Sequence, residues 1–207
     1  MLDIPTQYCE SLSGHFLSQP LNAISNVTFL IAAFLAYQYL RQQPATRLYI
    51  LPILLGVIGI GSAWWHTTNS HVGDILDTFS IGLFVSIVAI LLLTQITRSK
   101  IVATIYFTLL LASVIITERF PILNDSLPYV ILLGGFVIAG IIYIKKFPSA
   151  KVIFVSASFT FLTAIIFRST DILLCPLIPL GTHFLWHVLV AGLGYQIILM
   201  LAHAKSK

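Results

Sequence analysis

Three histidines carry the densest chemistry in this 207-residue chain. His66 ends one strongly apolar stretch, in Gly61-Ser62-Ala63-Trp64-Trp65-His66. His183 and His187 open another, in Gly181-Thr182-His183-Phe184-Leu185-Trp186-His187. Neutral imidazole is a good ligand for Zn²⁺, and three of them leave one coordination position open for water. Residues four apart share a helix face, so His183 and His187 can grip one ion from successive turns, and Ser62 stands one turn from His66. Asp74 and Asp77 open a further apolar stretch. Ionisable groups at membrane depth are expensive to keep and by default suggest function.

Elements that hold such groups must themselves be apolar. Only 9% of residues are charged, 58% are hydrophobic, and the mean hydropathy is +0.98. No soluble domain of this length needs so much apolar surface, so the class is an all-α, multi-pass membrane protein. Seven stretches are long enough to cross a bilayer as helices, at about 22–40, 48–66, 74–95, 101–117, 128–144, 150–167 and 181–203. Pro44, Pro121, Pro148 and Pro176 fall between them, where a missing N–H does least harm. One seven-helix transmembrane domain over 1–207 accounts for the whole chain, with no soluble domain, long linker or clear repeat. Asp3 and Glu10 near the start, without a basic-then-apolar run, argue against a cleavable signal peptide.

The net charge of +4 is scattered between apolar blocks, which points to topology and not to nucleic acid. Arg41, Arg47, Arg98, Lys100, Lys145, Lys146, Lys151, Lys205 and Lys207 fall on one side of the predicted helices, and Arg119 and Arg168 on the other. The positive-inside rule then puts the N-terminus outside and the C-terminus in the cytoplasm. His66, His183, His187, Ser62 and Asp77 all meet the outer leaflet under that topology. Blander readings exist for each group alone. A two-histidine turn is common in helices, Ser62 suits helix packing, and Asp74 suits the cap of the third helix. Convergence at one depth favours a metal site. His15, in a polar stretch, His71, in a short loop, and His203, a membrane thickness away, are left out of it.

As a combination, Ser62-x-x-x-His66, Asp77 eleven residues on, and His183-x-x-x-His187 resemble the alkaline ceramidase family. So do Tyr8-Cys9-Glu10, the run from Gln19 to Asn26, and Arg168-Ser169-Thr170-Asp171-Ile172-Leu173-Leu174-Cys175. Pro179-Leu180-Gly181-Thr182-His183 and the short loops look most like its bacterial members. The resemblance implies a seven-helix fold shared with the adiponectin receptors, and an intramembrane zinc on His66, His183 and His187. It also implies amide hydrolysis of ceramide, or of another N-acyl lipid where the host lacks sphingolipids, with Asp77 as acid/base and Ser62 as oxyanion stabiliser. A bacterial inner membrane with the zinc towards the periplasm is the expected setting. Related ceramidases carry cysteines near both Cys9 and Cys175, and the topology puts these two on one side, so a disulfide is expected.

Two departures concern calcium. An acidic cluster near the N-terminus binds calcium in eukaryotic members, but here Gln7 and Gln19 stand where acidic residues are frequent, and Glu10 alone remains. Calcium favours several hard, mostly charged oxygens, so a tight calcium site is not expected. A non-catalytic lipid receptor with structural zinc is the competing function, since a fold alone licenses no activity. A transporter is disfavoured because no polar track continues to the cytoplasmic side.

Overall fold

The computed structural model describes residues 8–11, 17–43, 46–97, 99–117, 120 and 122–203. His15 and Gln7 therefore lie outside the described residues. The elements are α1 (Pro20–Ser25), α2 (Val27–Leu40), α3 (Ile50–Thr68), α4 (His71–Ile96), α5 (Lys100–Thr117), α6 (Leu127–Lys146), α7 (Lys151–Leu174) and α8 (His183–His203). Short 3₁₀ turns at Thr46–Leu48 and Pro148–Ala150 precede α3 and α7, and no strand occurs among the described residues. Seven segments are long and apolar enough to cross a membrane, the first being α1 and α2 together.

A helix satisfies every backbone donor and acceptor within its own segment, which hydrocarbon surroundings demand. Its outward side chains can then be apolar all round. Phe34, Ile53, Phe79, Ile101, Val152 and Phe159 are all exposed, as lipid-facing residues would be. No residue of α5 is buried, and this helix lies against α4 and α6 at the periphery. α8 sits centrally, against α2, α7, α3 and α4, and α3 pairs closely with α4. Close pairing requires small side chains at the crossings. At Gly73 an added Cβ would come 2.8 Å from the Trp65 Cα, so glycine there lets the start of α4 lie against the end of α3. The apolar core clusters at the far end, around Leu40, Leu51, Leu55, Ile198 and Leu201. There the Tyr143 hydroxyl donates to the Met200 carbonyl at 2.9 Å.

Three helix limits differ from the sequence expectation, each for a polar reason. α7 runs to Leu174 and not to about 167, because Arg168 and Asp171 are buried with polar partners inside the bundle. A drop in hydropathy there looks like a helix end. Arg168 is thus part of a helix and not one of the loop charges. α4 begins at His71, three residues early, capped by Ser70, whose hydroxyl accepts from the Gly73 amide at 3.3 Å. His71 is helical, not in a loop, and Asp74 lies in the first turn without being the cap. The first span breaks at Asn26, where Ser25 Oγ and Asn26 Nδ2 both donate to the Asn22 carbonyl, at 2.7 and 2.8 Å. Side chains that take a helix carbonyl in this way compete with the regular ladder.

Candidate metal centre

His66 lies two residues before the end of α3, and His183 and His187 occupy the first two turns of α8. All three are at most 2% exposed. Their ring centroids are 4.6, 4.7 and 5.2 Å apart, and one ligand nitrogen from each falls within 4.8 Å of the others. Among the described residues this is the one group of three or more His, Cys, Asp and Glu side chains close enough to share an ion.

Each ring is fixed from behind. The His66 Nδ1–H donates to Gln19 Oε1, which also accepts from Asn22 Nδ2 at 3.2 Å. The His187 Nδ1 lies 2.7 Å from Ser25 Oγ. His183 is held differently: the Tyr8 ring stacks on it at 3.8 Å, and its backbone amide donates to Asp171 Oδ1 at 2.9 Å. Imidazoles that bind metal generally donate their second nitrogen to a partner, which sets the tautomer and aims the other nitrogen at the ion. The donor set therefore fits a metal: three buried imidazoles, two with Nδ1 engaged, and a His183 Nδ1 with no partner among the described residues.

Ser62, 3% exposed, lines the same cavity of about 120 Å³ as Asp77, Asp74, Arg168, His183 and His187. Asp77 Oδ1 is shielded from solvent and has no partner among the described residues. Five side chains singled out by type and spacing thus share one cavity wall or its rim. Below it, Phe29, Ile58, Ile81, Tyr129, Trp186 and Val190 also line a second, apolar cavity. That cavity extends along α4 from Ile81 to Leu93, a rise of about 18 Å for an α-helix.

The segment before α1 closes the rim. Cys9 and Cys175 are joined by a disulfide, with Cα atoms 5.3 Å apart. The Cys9 amide donates to Asp171 Oδ2 at 2.9 Å, while Asp171 Oδ1 accepts from the Thr182 and His183 amides. One carboxylate thereby caps α8 and anchors the segment that carries Tyr8. Gly181, at φ 67°, makes this approach feasible, since a Cβ there would run into Asp171 and Cys9. Glu10 accepts the Leu21 and Asn22 amides, one on each oxygen and both at 2.7 Å, so its charge caps the start of α1. His203, at the far end of α8, is near Tyr39 and remote from the triad.

Sequence reasoning missed Gln19, Ser25, Tyr8, Asp171 and Arg168 as parts of the site. Gln19 stood out in the run to Asn26 and as a departure from an acidic pattern, yet it orients His66. Arg168 stood out as an outer-side charge and, with Asp171, in the run to Cys175, and only the fold shows that both are buried beside the site.

No curated protein matches the chain. The model of the family described as Ceramidase matches residues 5–207, nearly the whole chain. On that match the chain belongs to the Ceramidase family.

Proposed function

We propose that this protein is a zinc-dependent intramembrane hydrolase that cleaves the amide bond of ceramide or a related N-acyl lipid. The observation that carries the reading is the buried triad of His66, His183 and His187 beside an Asp77 oxygen with no partner among the described residues. Family membership supports amide hydrolysis of ceramide. The apolar cavity that abuts the site supports a lipid substrate, its tail among the helices and its polar linkage at the histidines.

Held by His66, His183 and His187, zinc would supply Lewis acidity for the amide carbonyl and lower the pKa of water enough to give a hydroxide nucleophile near neutral pH. Asp77 takes the proton from the attacking water and delivers it to the leaving nitrogen, because an amine is a poor leaving group until protonated. Ser62, in the same cavity, donates its hydroxyl to the oxygen that becomes negative in the transition state. Gln19 and Ser25 hold His66 and His187 with their free nitrogens inward. Tyr8, Trp65 and Trp186 crowd the cavity and limit access of bulk water.

The surplus of Lys and Arg in one set of loops supports an N-terminus outside and a site on the outer, in a bacterium periplasmic, side. Purified protein loaded with zinc should release fatty acid from an N-acyl lipid in a time-dependent way, in proportion to protein added. Tight lipid binding without release would instead make the chain a receptor with a structural metal.

A further inference from the structure

Arg168 is buried, 7% exposed, at the level of the histidine triad on α7. It is the one Lys or Arg among the residues that line the site cavity. Among the described residues its one side-chain hydrogen bond runs from Nη1 to the Tyr8 hydroxyl at 3.0 Å. The rings of Tyr8, Tyr129 and Trp186 surround the guanidinium, with centroids 5.6, 5.2 and 5.6 Å from Cζ. Its Nε is sealed from solvent and has no partner among the described residues. Asp171, one turn further on, spends its carboxylate on backbone amides and does not pair with it.

Asp77 and Asp74 line the same cavity, but no carboxylate hydrogen-bonds the guanidinium among the described residues, and aromatic faces attract it without neutralising it. With Nη1 committed to Tyr8 and Nε sealed, Nη2 is the donor left for a ligand in the cavity, and a guanidinium suits the oxygens of a carboxylate. Hydrolysis of a lipid amide adds OH to the acyl carbon and H to the nitrogen, and the acid so formed ionises to a carboxylate near neutral pH. An amine leaving group would be repelled by this cation, whereas the acyl product adds to its hydrogen bonds. The acyl chain would then occupy the apolar cavity below Trp186 and Tyr129.

We infer that Arg168 forms a carboxylate-binding subsite, which takes the head of the released fatty acid and holds it beside the histidine triad. This rests on the hydrolase reading for the source of the acid, but its test does not require turnover. Arg168 is a binding residue, set by the Tyr8 hydroxyl and by the aromatic rings around it.

The experiment measures binding of dodecanoate, dodecanol and dodecanamide to the purified full chain in detergent, with and without a strong zinc chelator. Dodecanoate should bind about tenfold more tightly than the two neutral ligands, as expected for a charge-assisted bond, and the preference should survive chelation. Arg168→Met should abolish the preference without weakening dodecanol, and Arg168→Lys should restore part of it. Equal affinities in the parent protein under chelation would overturn the inference, and that comparison needs no variant to fold. An undiminished preference in Arg168→Met would overturn it as well. Acid preference in a protein that cleaves no amide would uphold the subsite and remove the hydrolase reading. Amide cleavage without acid preference would do the reverse.

Discussion

Ser25 Oγ lies 2.7 Å from Nδ1 of His187 and also 2.7 Å from the carbonyl oxygen of Asn22. A hydroxyl has one proton, and the carbonyl can only accept it. Ser25 must therefore accept from the His187 Nδ1–H, which leaves the Nε2 lone pair for an ion. Gln19 acts alike on His66 through an amide oxygen. Loss of such supports typically weakens metal binding by about 10–100-fold. Ser25→Ala and Gln19→Leu should each do so, and competition with a chelator of known affinity would measure it.

Ser62 and Asp77 share the cavity but are assigned different duties. Asp77→Asn should keep the metal and lose nearly all turnover, since the amide cannot accept the proton. Ser62→Ala should lower kcat by about 10²–10³-fold with a smaller change in KM, because its donor matters mainly in the transition state. Metal analysis beside steady-state kinetics separates the two effects. A Ser62→Ala protein with full kcat would remove the hydroxyl from the chemistry.

The Cys9–Cys175 disulfide ties Tyr8 over His183. Thiol labelling of denatured, unreduced protein should find no free thiol, and two would rule the bond out. Its removal should cost about 2–5 kcal/mol, so Cys9→Ser should lower the melting temperature in detergent and raise protease sensitivity of the segment before α1.

The histidine cluster and Ser62 were legible because such groups gather on single helices: His183 and His187 are one turn apart, and Ser62 is one turn from His66. Helix spans were legible because each is apolar over the thickness of a bilayer. The second layer of the site was not. Gln19 meets His66 across 47 residues and Ser25 meets His187 across 162, contacts that exist only once α1, α3 and α8 pack. Arg168 and Asp171 misled for a related reason. Side-chain polarity reads as exposure in a sequence, and only the fold supplies the amides and rings that make their burial tolerable.

The proposed orientation rests on the loop charges. Reporter fusions placed after Lys151 should behave as cytoplasmic, and fusions after Asp125 as external. The reverse pattern would move the histidine site to the cytoplasmic leaflet and overturn the proposed setting.

The central claim is that a zinc ion on His66, His183 and His187 powers amide hydrolysis. Metal-stripped protein titrated with zinc, with metal content and fatty acid release from ceramide measured on the same samples, tests it most directly. The account predicts that release rises linearly and saturates at one zinc per chain, and that His187→Ala protein neither retains zinc nor gains activity. Saturated zinc binding with no release from ceramide or any other N-acyl lipid, or equal release from stripped protein, would contradict it.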